Sequence, residues 1–176
     1  MLIRPATPAD IPAITAIYRQ YVLTGTATFE IDAPDAAEMA RRHADITSKG
    51  FAYLVAELEG VIAGYAYANT FRPRVAYRFT VENSVYLSPD CVGRGIGRAL
   101  LEALIEQCTA AGLRQMIAVI GDSANHASIG LHKALGFADN GVQRAVGLKF
   151  GRWLDTVTMQ LSLGAGNTTV PSDTPA

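Results

Sequence analysis

Between Leu87 and Leu101 the sequence changes period. Alternating residues lead up to Leu87, "CVGRGIGRALL" fills 91–101, and apolar residues then recur at helical spacing. A glycine turn that leaves a strand and opens a helix restricts the chain to an α/β arrangement. The helix start it creates has unpaired backbone N–H groups and the positive end of the macrodipole. Such a start takes up a phosphate where no side chain blocks the approach, which accounts for glycines at 93, 95 and 97. Two phosphate loops are excluded. A Walker A loop ends in Gly-Lys-Ser/Thr, whereas this one has Gly97-Arg98-Ala99. The dinucleotide pattern G-x-G-x-x-G fails because Arg98 or Leu100 stands in the third glycine position. An antiparallel hairpin, not a βαβ opening, also precedes the turn.

The rest of the chain supplies a sheet around this turn. "LIRPA" is a short strand, and Thr7 to Asp10 offers a capping box for a helix bearing Ile11, Ile14, Ile17, Tyr18, Tyr21 and Val22. Gly25 breaks that helix, and Pro34 opens a second through Met39 and Ile46 to Gly50. "FAYLVAELEGVIAGYAYANTF" reads as two strands joined near Glu59-Gly60. Tyr77, Phe79 and Val81 alternate with Arg78, Thr80 and Glu82 as a half-buried strand. A bulge near Asn83-Ser84 is expected to carry its period on to Val85 and Leu87. The stripe from Ile96 to Cys108 is an amphipathic helix stopped by Gly112. A buried strand "RQMIAVI", a helix "NHASIGLHKALGF" and two strands flanking Gly151 complete the order β-α-α-β-β-β-α-β-α-β-β. This predicts a mixed, largely antiparallel sheet flanked by helices.

No repeat or inner boundary divides the chain, so residues 1–163 are expected to form one domain and 164–176 a disordered tail. A net charge of -1 gives no basic face for nucleic acid. No apolar run reaches the roughly 20 residues of a membrane span. "MLIRPATPAD" lacks the regions of a signal peptide, and Cys91 and Cys108 suit neither a disulfide framework nor a zinc site. A cytoplasmic protein without a metal is expected.

"VGRGIG" at 92–97 resembles the pyrophosphate loop of the GCN5-related N-acetyltransferases (GNAT), Gln/Arg-x-x-Gly-x-Gly/Ala, with Val92 in the first place. "FTVENSVYLSP", "NHASIGLHKALGF" and "GRWLDTVTMQ" resemble the phosphinothricin and methionine-sulfoximine acetyltransferase group of that superfamily. The resemblance implies the GNAT (acyl-CoA N-acyltransferase) fold, acetyl-CoA as co-substrate, a small-molecule amine as acceptor and a homodimer. It puts the diphosphate on Gly93, Arg94, Gly95, Ile96, Gly97 and Arg98, mainly through backbone N–H groups that Val92 still supplies. It puts the pantetheine arm beside Val85, Tyr86 and Leu87, as an added strand. A backbone N–H freed by the expected bulge would point at the thioester oxygen. Asn125 matches a pantetheine-binding position, and as the first residue of a helix it reads equally as an N-cap.

Acetylating an amine also needs a base, because primary amines with pKa values of roughly 8 to 10 are mostly protonated at pH 7. "TVEN" places Glu82 where the resembled group has its proposed base. His132 occupies the slot where many GNAT enzymes have a Tyr that protonates the leaving thiolate. His43 and His126 read as surface residues. Cys91 lacks a neighbour that would make it a nucleophile, which favours direct transfer. For the acceptor, Arg72 or Arg74 in "FRPRVAY" would hold a carboxylate by a two-pronged hydrogen bond. The resemblance has Val75, Ala76 and Tyr77 lining the substrate site and Phe29 shaping an apolar wall. The expected activity is acetylation of the α-amine of methionine sulfoximine, methionine sulfone or phosphinothricin. Two alternatives stay open: the same fold acting on protein N-termini or other small amines, and a coenzyme A-binding sensor without transfer.

Overall fold

The first helix is fixed at its entry by charge. Asp10 accepts the Thr7 backbone N–H at 2.7 Å and two Arg4 guanidinium bonds at 2.8 Å. Helix α1 (Ile11–Thr24) then buries Ile11, Ile14, Ile17, Tyr18 and Val22 on one face. The structure, a computed structural model, describes residues 1–171. Strand β1 (Leu2–Pro5) precedes α1. After it come α2 (Ala36–Ser48), β2 (Tyr53–Leu58), β3 (Val61–Thr70) and β4 (Thr80–Leu87). Helix α3 (Ile96–Ala110), β5 (Gln115–Gly121), α4 (His126–Ala134), β6 (Ala138–Lys149) and β7 (Arg152–Ser162) follow.

The strands form one sheet in the order β1-β2-β3-β4-β5-β7-β6. Among the described residues β4 and β5 are the parallel pair, with α3 as their crossover, and all other neighbours run antiparallel. One face is covered by α3, whose Ile96, Leu100, Leu101, Leu104 and Cys108 pack on Leu54, Ala66, Val81, Met116 and Met159. The other carries Tyr53, Tyr65, Tyr67 and Tyr86 beneath α1 and α2. No helix among the described residues is long and apolar enough to cross a membrane.

The expected element order is observed, with four local corrections. Pro34 does not open α2, because the Asp35 side chain caps it by accepting the Glu38 N–H at 2.8 Å. Val75–Tyr77 is a 3-10 turn, so β4 begins only at Thr80. No bulge interrupts β4 near Asn83-Ser84: Val81 to Leu87 pair one-to-one with Thr70 to Gly64. Positions 81, 83, 85 and 87 share one face without any slip, and Asn83 simply occupies a buried site in that series. A bulge does occur in β3, where Ala63 is the extra residue opposite Ala56 and Glu57. Finally, His43 is buried, since with Met39 and Ile46 it lies on the sheet-facing side of α2, its ring 4.9 Å from that of Tyr53. Of the tail, residues 164–169 continue in turns and bends, with the Gly166 N–H on the Leu163 carbonyl at 2.8 Å. Residues 172–176 lie outside the described residues.

Candidate active site

Strands β4 and β5 pair from Thr80/Gln115 to Asn83/Ala118 and then part. Their separation opens a cleft of about 420 Å³ between residues 84–87 and 118–121, closed by the starts of α3 and α4. The β4 side of this cleft is a free strand edge. The Ser88 N–H bonds the Ala63 carbonyl at 2.9 Å, so Leu87 and Gly64 between them form a non-hydrogen-bonded pair. The N–H and C=O of Leu87, and by the two-residue period those of Val85, therefore turn away from β3 into the gap that β5 has left. The Leu87 carbonyl is taken by the Tyr21 hydroxyl at 2.9 Å. Amides turned away from β3 thus exist on Val85 and Leu87, and divergence of two strands frees them, not a bulge.

At the next corner the glycine turn meets the same cleft. Gly93 and Gly95 have φ of +79° and +78°, a left-handed backbone that a side chain would strain. The first helical bond of α3 runs from the Ala99 N–H to the Gly95 carbonyl at 3.1 Å. The amides of Ile96, Gly97 and Arg98 therefore have no partner within the helix. Gly93, Gly95, Ile96, Gly97 and Arg98 line the cleft, whereas Arg94 is exposed and is not part of its lining. The Arg98 Nε donates to Glu102 at 2.8 Å, which holds its charge along the helix side. Asn125 also lines the cleft, and its Oδ1 accepts the Ser128 N–H at 3.2 Å as the cap of α4. Its Nδ2 lies 3.5 Å from the Gly121 carbonyl.

Glu82 stands just before the split, opposite Asn69 of β3 and Ile117 of β5. By strand alternation its side chain shares the α1/α2 face with Ser84 and Tyr86. Burial pushes its pKa above the ordinary carboxylate range. On the opposite face, Asn83 is only 6% exposed and bridges the point where the strands part. Its Nδ2 donates to the Ile117 carbonyl at 3.3 Å, and its Oδ1 lies 3.0 Å from His132 Nε2. His132 is 3% exposed, and its Nδ1 is 2.8 Å from the Ser128 carbonyl. Burial lowers the His132 pKa and the Ser128 bond partly opposes that. Sequence reasoning missed Asn83. Its signal was a polar residue in the apolar series 81, 83, 85, 87.

Ahead of β4, the Arg72 guanidinium carbon lies 5.0 Å from the Phe71 ring centre and 5.6 Å from that of Tyr77. Two aromatic rings thus hold Arg72 at the Val75–Tyr77 turn, where Val75 and Ala76 are exposed. Arg74 precedes the same turn and is exposed. From the other side, the loop between α1 and α2 brings Ala27 to the cleft wall, with Phe29 two residues on. Tyr18 ties this loop to the tyrosine face. Its hydroxyl lies 2.9 Å from Thr28 Oγ1 and donates to Glu30 at 2.8 Å, and its ring meets Tyr86 at 5.1 Å.

Residues 3–158 match the acetyltransferase (GNAT) domain family. The chain is 55% identical to a phosphinothricin N-acetyltransferase of Alcaligenes faecalis, over 96% of this chain and 86% of that one. It is 45% identical to the L-methionine sulfoximine/L-methionine sulfone acetyltransferase of Pseudomonas aeruginosa, over 92% and 94%. A phosphinothricin acetyltransferase from Sinorhizobium meliloti, solved in complex with AcCoA, superposes with a TM-score of 0.95 at 54% identity, covering 98% of this chain and 93% of that chain.

Proposed function

The chain belongs to the GNAT acetyltransferase family, and from that premise we propose that it acetylates the α-amine of small amino-acid analogues with acetyl-CoA: methionine sulfoximine, methionine sulfone and phosphinothricin. We propose further that it works by direct transfer, in the cytoplasm, as a homodimer. One observation carries the reading: a single cleft joins free amides at a helix start to free amides on a strand edge, and the half-buried Glu82 carboxylate stands one residue before the two strands part.

The cleft fits an acylated coenzyme in chemical terms. Amides 96–98 with the turn at 93–95 suit a diphosphate, and the edge 85–87 suits the amide-bearing pantetheine arm. When bound, acetyl-CoA supplies an acyl group activated as a thioester. The strand amides that face the gap stabilise the oxygen on which negative charge develops. Glu82 accepts the proton that the amine loses as its nitrogen bonds the acyl carbon. Its raised pKa brings it nearer that of the amine, which favours this transfer. His132 supplies a proton to the departing sulfur and is held for the task by Asn83 and Ser128. Arg72 binds the acceptor carboxylate, while Phe29, Val75, Ala76 and Tyr77 provide apolar walls that favour a small ligand.

The dimer reading rests on the sheet edge. Strand β6 is an outer strand with Val146 and Leu148 exposed along it, Phe150 is exposed in the turn that follows, and Trp153 of β7 is 66% exposed. Apolar side chains gathered on an open edge call for a cover, and a second copy of the same edge provides one.

A thiol-release assay over an acceptor panel tests the activity. Turnover on methionine sulfoximine, methionine sulfone and phosphinothricin is expected. Acetylation of a peptide N-terminus or a polyamine with none on these compounds overturns the acceptor. Tight acetyl-CoA binding with no turnover on any amine overturns the enzyme.

A further inference from the structure

The α1–α2 loop is fitted against β5 and the β6–β7 hairpin with almost no clearance. A Cβ on Gly121 would stand 2.6 Å from the Thr26 carbonyl oxygen, and one on Gly147 would overlap the Phe29 ring, with Cζ at 3.0 Å. Gly147 is not in the left-handed region, so its backbone accepts any residue. What demands glycine there is the ring of Phe29. Polar bonds clamp the neighbouring residues. Thr26 Oγ1 donates to Asp122 at 2.9 Å, Asp122 is held by Arg152 at 3.0 Å, and Lys149 Nζ donates to the Thr28 carbonyl at 2.8 Å.

Lys149 is the unusual member of this set. Its side chain is 2% exposed, yet its ammonium meets a backbone carbonyl and the Phe150 ring, at 5.1 Å, and no carboxylate within ion-pair distance among the described residues. A buried ammonium whose counter-charge, Glu30, acts only from beyond ion-pair distance is costly. Methionine would fill similar space without that cost, and what lysine adds is a fixed position for Thr28, next to Phe29.

We propose that Gly147 and Lys149 are positioning residues that set acceptor selectivity by fixing where the Phe29 ring stands. The proposal rests on the reading of Phe29 as an acceptor wall. Gly147 supplies the recess that receives one side of the ring, and Lys149 anchors the backbone leading into it. An enlarged residue at 147 drives the ring out of its recess and reshapes the wall. A lost anchor at 149 lets the wall drift. Neither residue lines the coenzyme cleft, so the effect falls on the acceptor alone.

The test compares KM and kcat for acceptors of graded side-chain length, together with acetyl-CoA affinity by calorimetry. Gly147→Ala is expected to change the kcat/KM ratio between a short and a long acceptor by roughly tenfold, the scale of one misplaced methylene in a pocket. Acetyl-CoA affinity is expected to stay within about twofold. Lys149→Met raises acceptor KM in the same order of preference, and it keeps the proposal testable if the Gly147 variant folds poorly. The double variant Gly147→Ala/Phe29→Leu, with a smaller side chain over the new methyl, recovers part of the original ratio. Should Phe29→Ala alter selectivity while Gly147→Ala and Lys149→Met do not, the positioning role is wrong and the acceptor wall stands. Should Phe29→Ala also leave every acceptor unaffected, the wall itself is wrong and the proposal falls with it.

Discussion

His132 Nε2 lies 3.0 Å from the side-chain oxygen of Asn83, while its Nδ1 lies 2.8 Å from the Ser128 carbonyl. A carbonyl cannot donate, so Nδ1 carries a hydrogen in either charge state. A second proton, on Nε2, would meet another acceptor in Asn83. The ring is therefore arranged to carry a proton in a place where burial resists its charge. A donor poised in that way gives its proton up readily to a thiolate.

Protonation of His132 should appear in stability. Burial lowers its pKa below the unfolded value of about 6.5, so near pH 6 the unfolded chain binds more protons than the native one. The contribution of neutral His132 is complete above that value and declines as pH falls through it. The Tm difference between the wild type and His132→Gln should shrink between pH 7.5 and 5.5. A constant difference would contradict a depressed pKa.

Glu82 should show the opposite sign. Its folded pKa is raised, so its favourable contribution exists at low pH and is lost as pH rises through that value. Glu82→Gln removes a half-buried charge, and it should raise Tm at pH 7.5 with no gain near pH 4. The same variant should lower kcat by about 10²-fold or more, the usual range for a lost general base, and leave acetyl-CoA affinity unchanged. Thermal scans and steady-state kinetics on one preparation check both.

At Gly95, with φ of +78°, any side chain strains the backbone by about 1–2 kcal/mol and crowds the approach to the α3 amides. Gly95→Val should weaken acetyl-CoA binding by more than about tenfold, measured calorimetrically, with a modest loss of Tm. Unchanged affinity would remove the turn from the coenzyme site.

Arg72 is held by two aromatic rings, and Arg74 is exposed beside the same turn. Arg72→Met should raise acceptor KM by about tenfold or more, the worth of a charged hydrogen bond, and Arg74→Met much less. An acceptor with its carboxylate amidated should be indifferent to Arg72→Met. Equal loss on both acceptors would mean that Arg72 does not hold the carboxylate.

For the open β6 edge, sedimentation of the wild type should give twice the chain mass of 18.7 kDa. Trp153→Glu, which puts a charge among the exposed apolar side chains, should give the single-chain mass. A monomeric wild type would contradict the dimer.

The sequence was most legible where period and punctuation agree. The stripe from Ile96 to Cys108 with Gly112, and the hairpin at Glu59-Gly60, specify their elements locally. Legibility failed where a residue answers to a distant partner. Asn83 looked like a break in the β4 period because its partners, the Ile117 carbonyl and His132, lie 34 and 49 residues away. His43 looked exposed because its burial depends on Tyr53 of β2, a residue of another element. The free strand edge was foreseen with the wrong cause, since divergence of β4 from β5 leaves no mark in either strand alone.

The structure of the complex with acetyl-CoA tests the central claim most directly. The account predicts the diphosphate on the backbone amides of 93–98, the pantetheine arm along 85–87, and the thioester beside Glu82. A diphosphate bound away from the start of α3, or a thioester on the side of the sheet remote from Glu82, would contradict it.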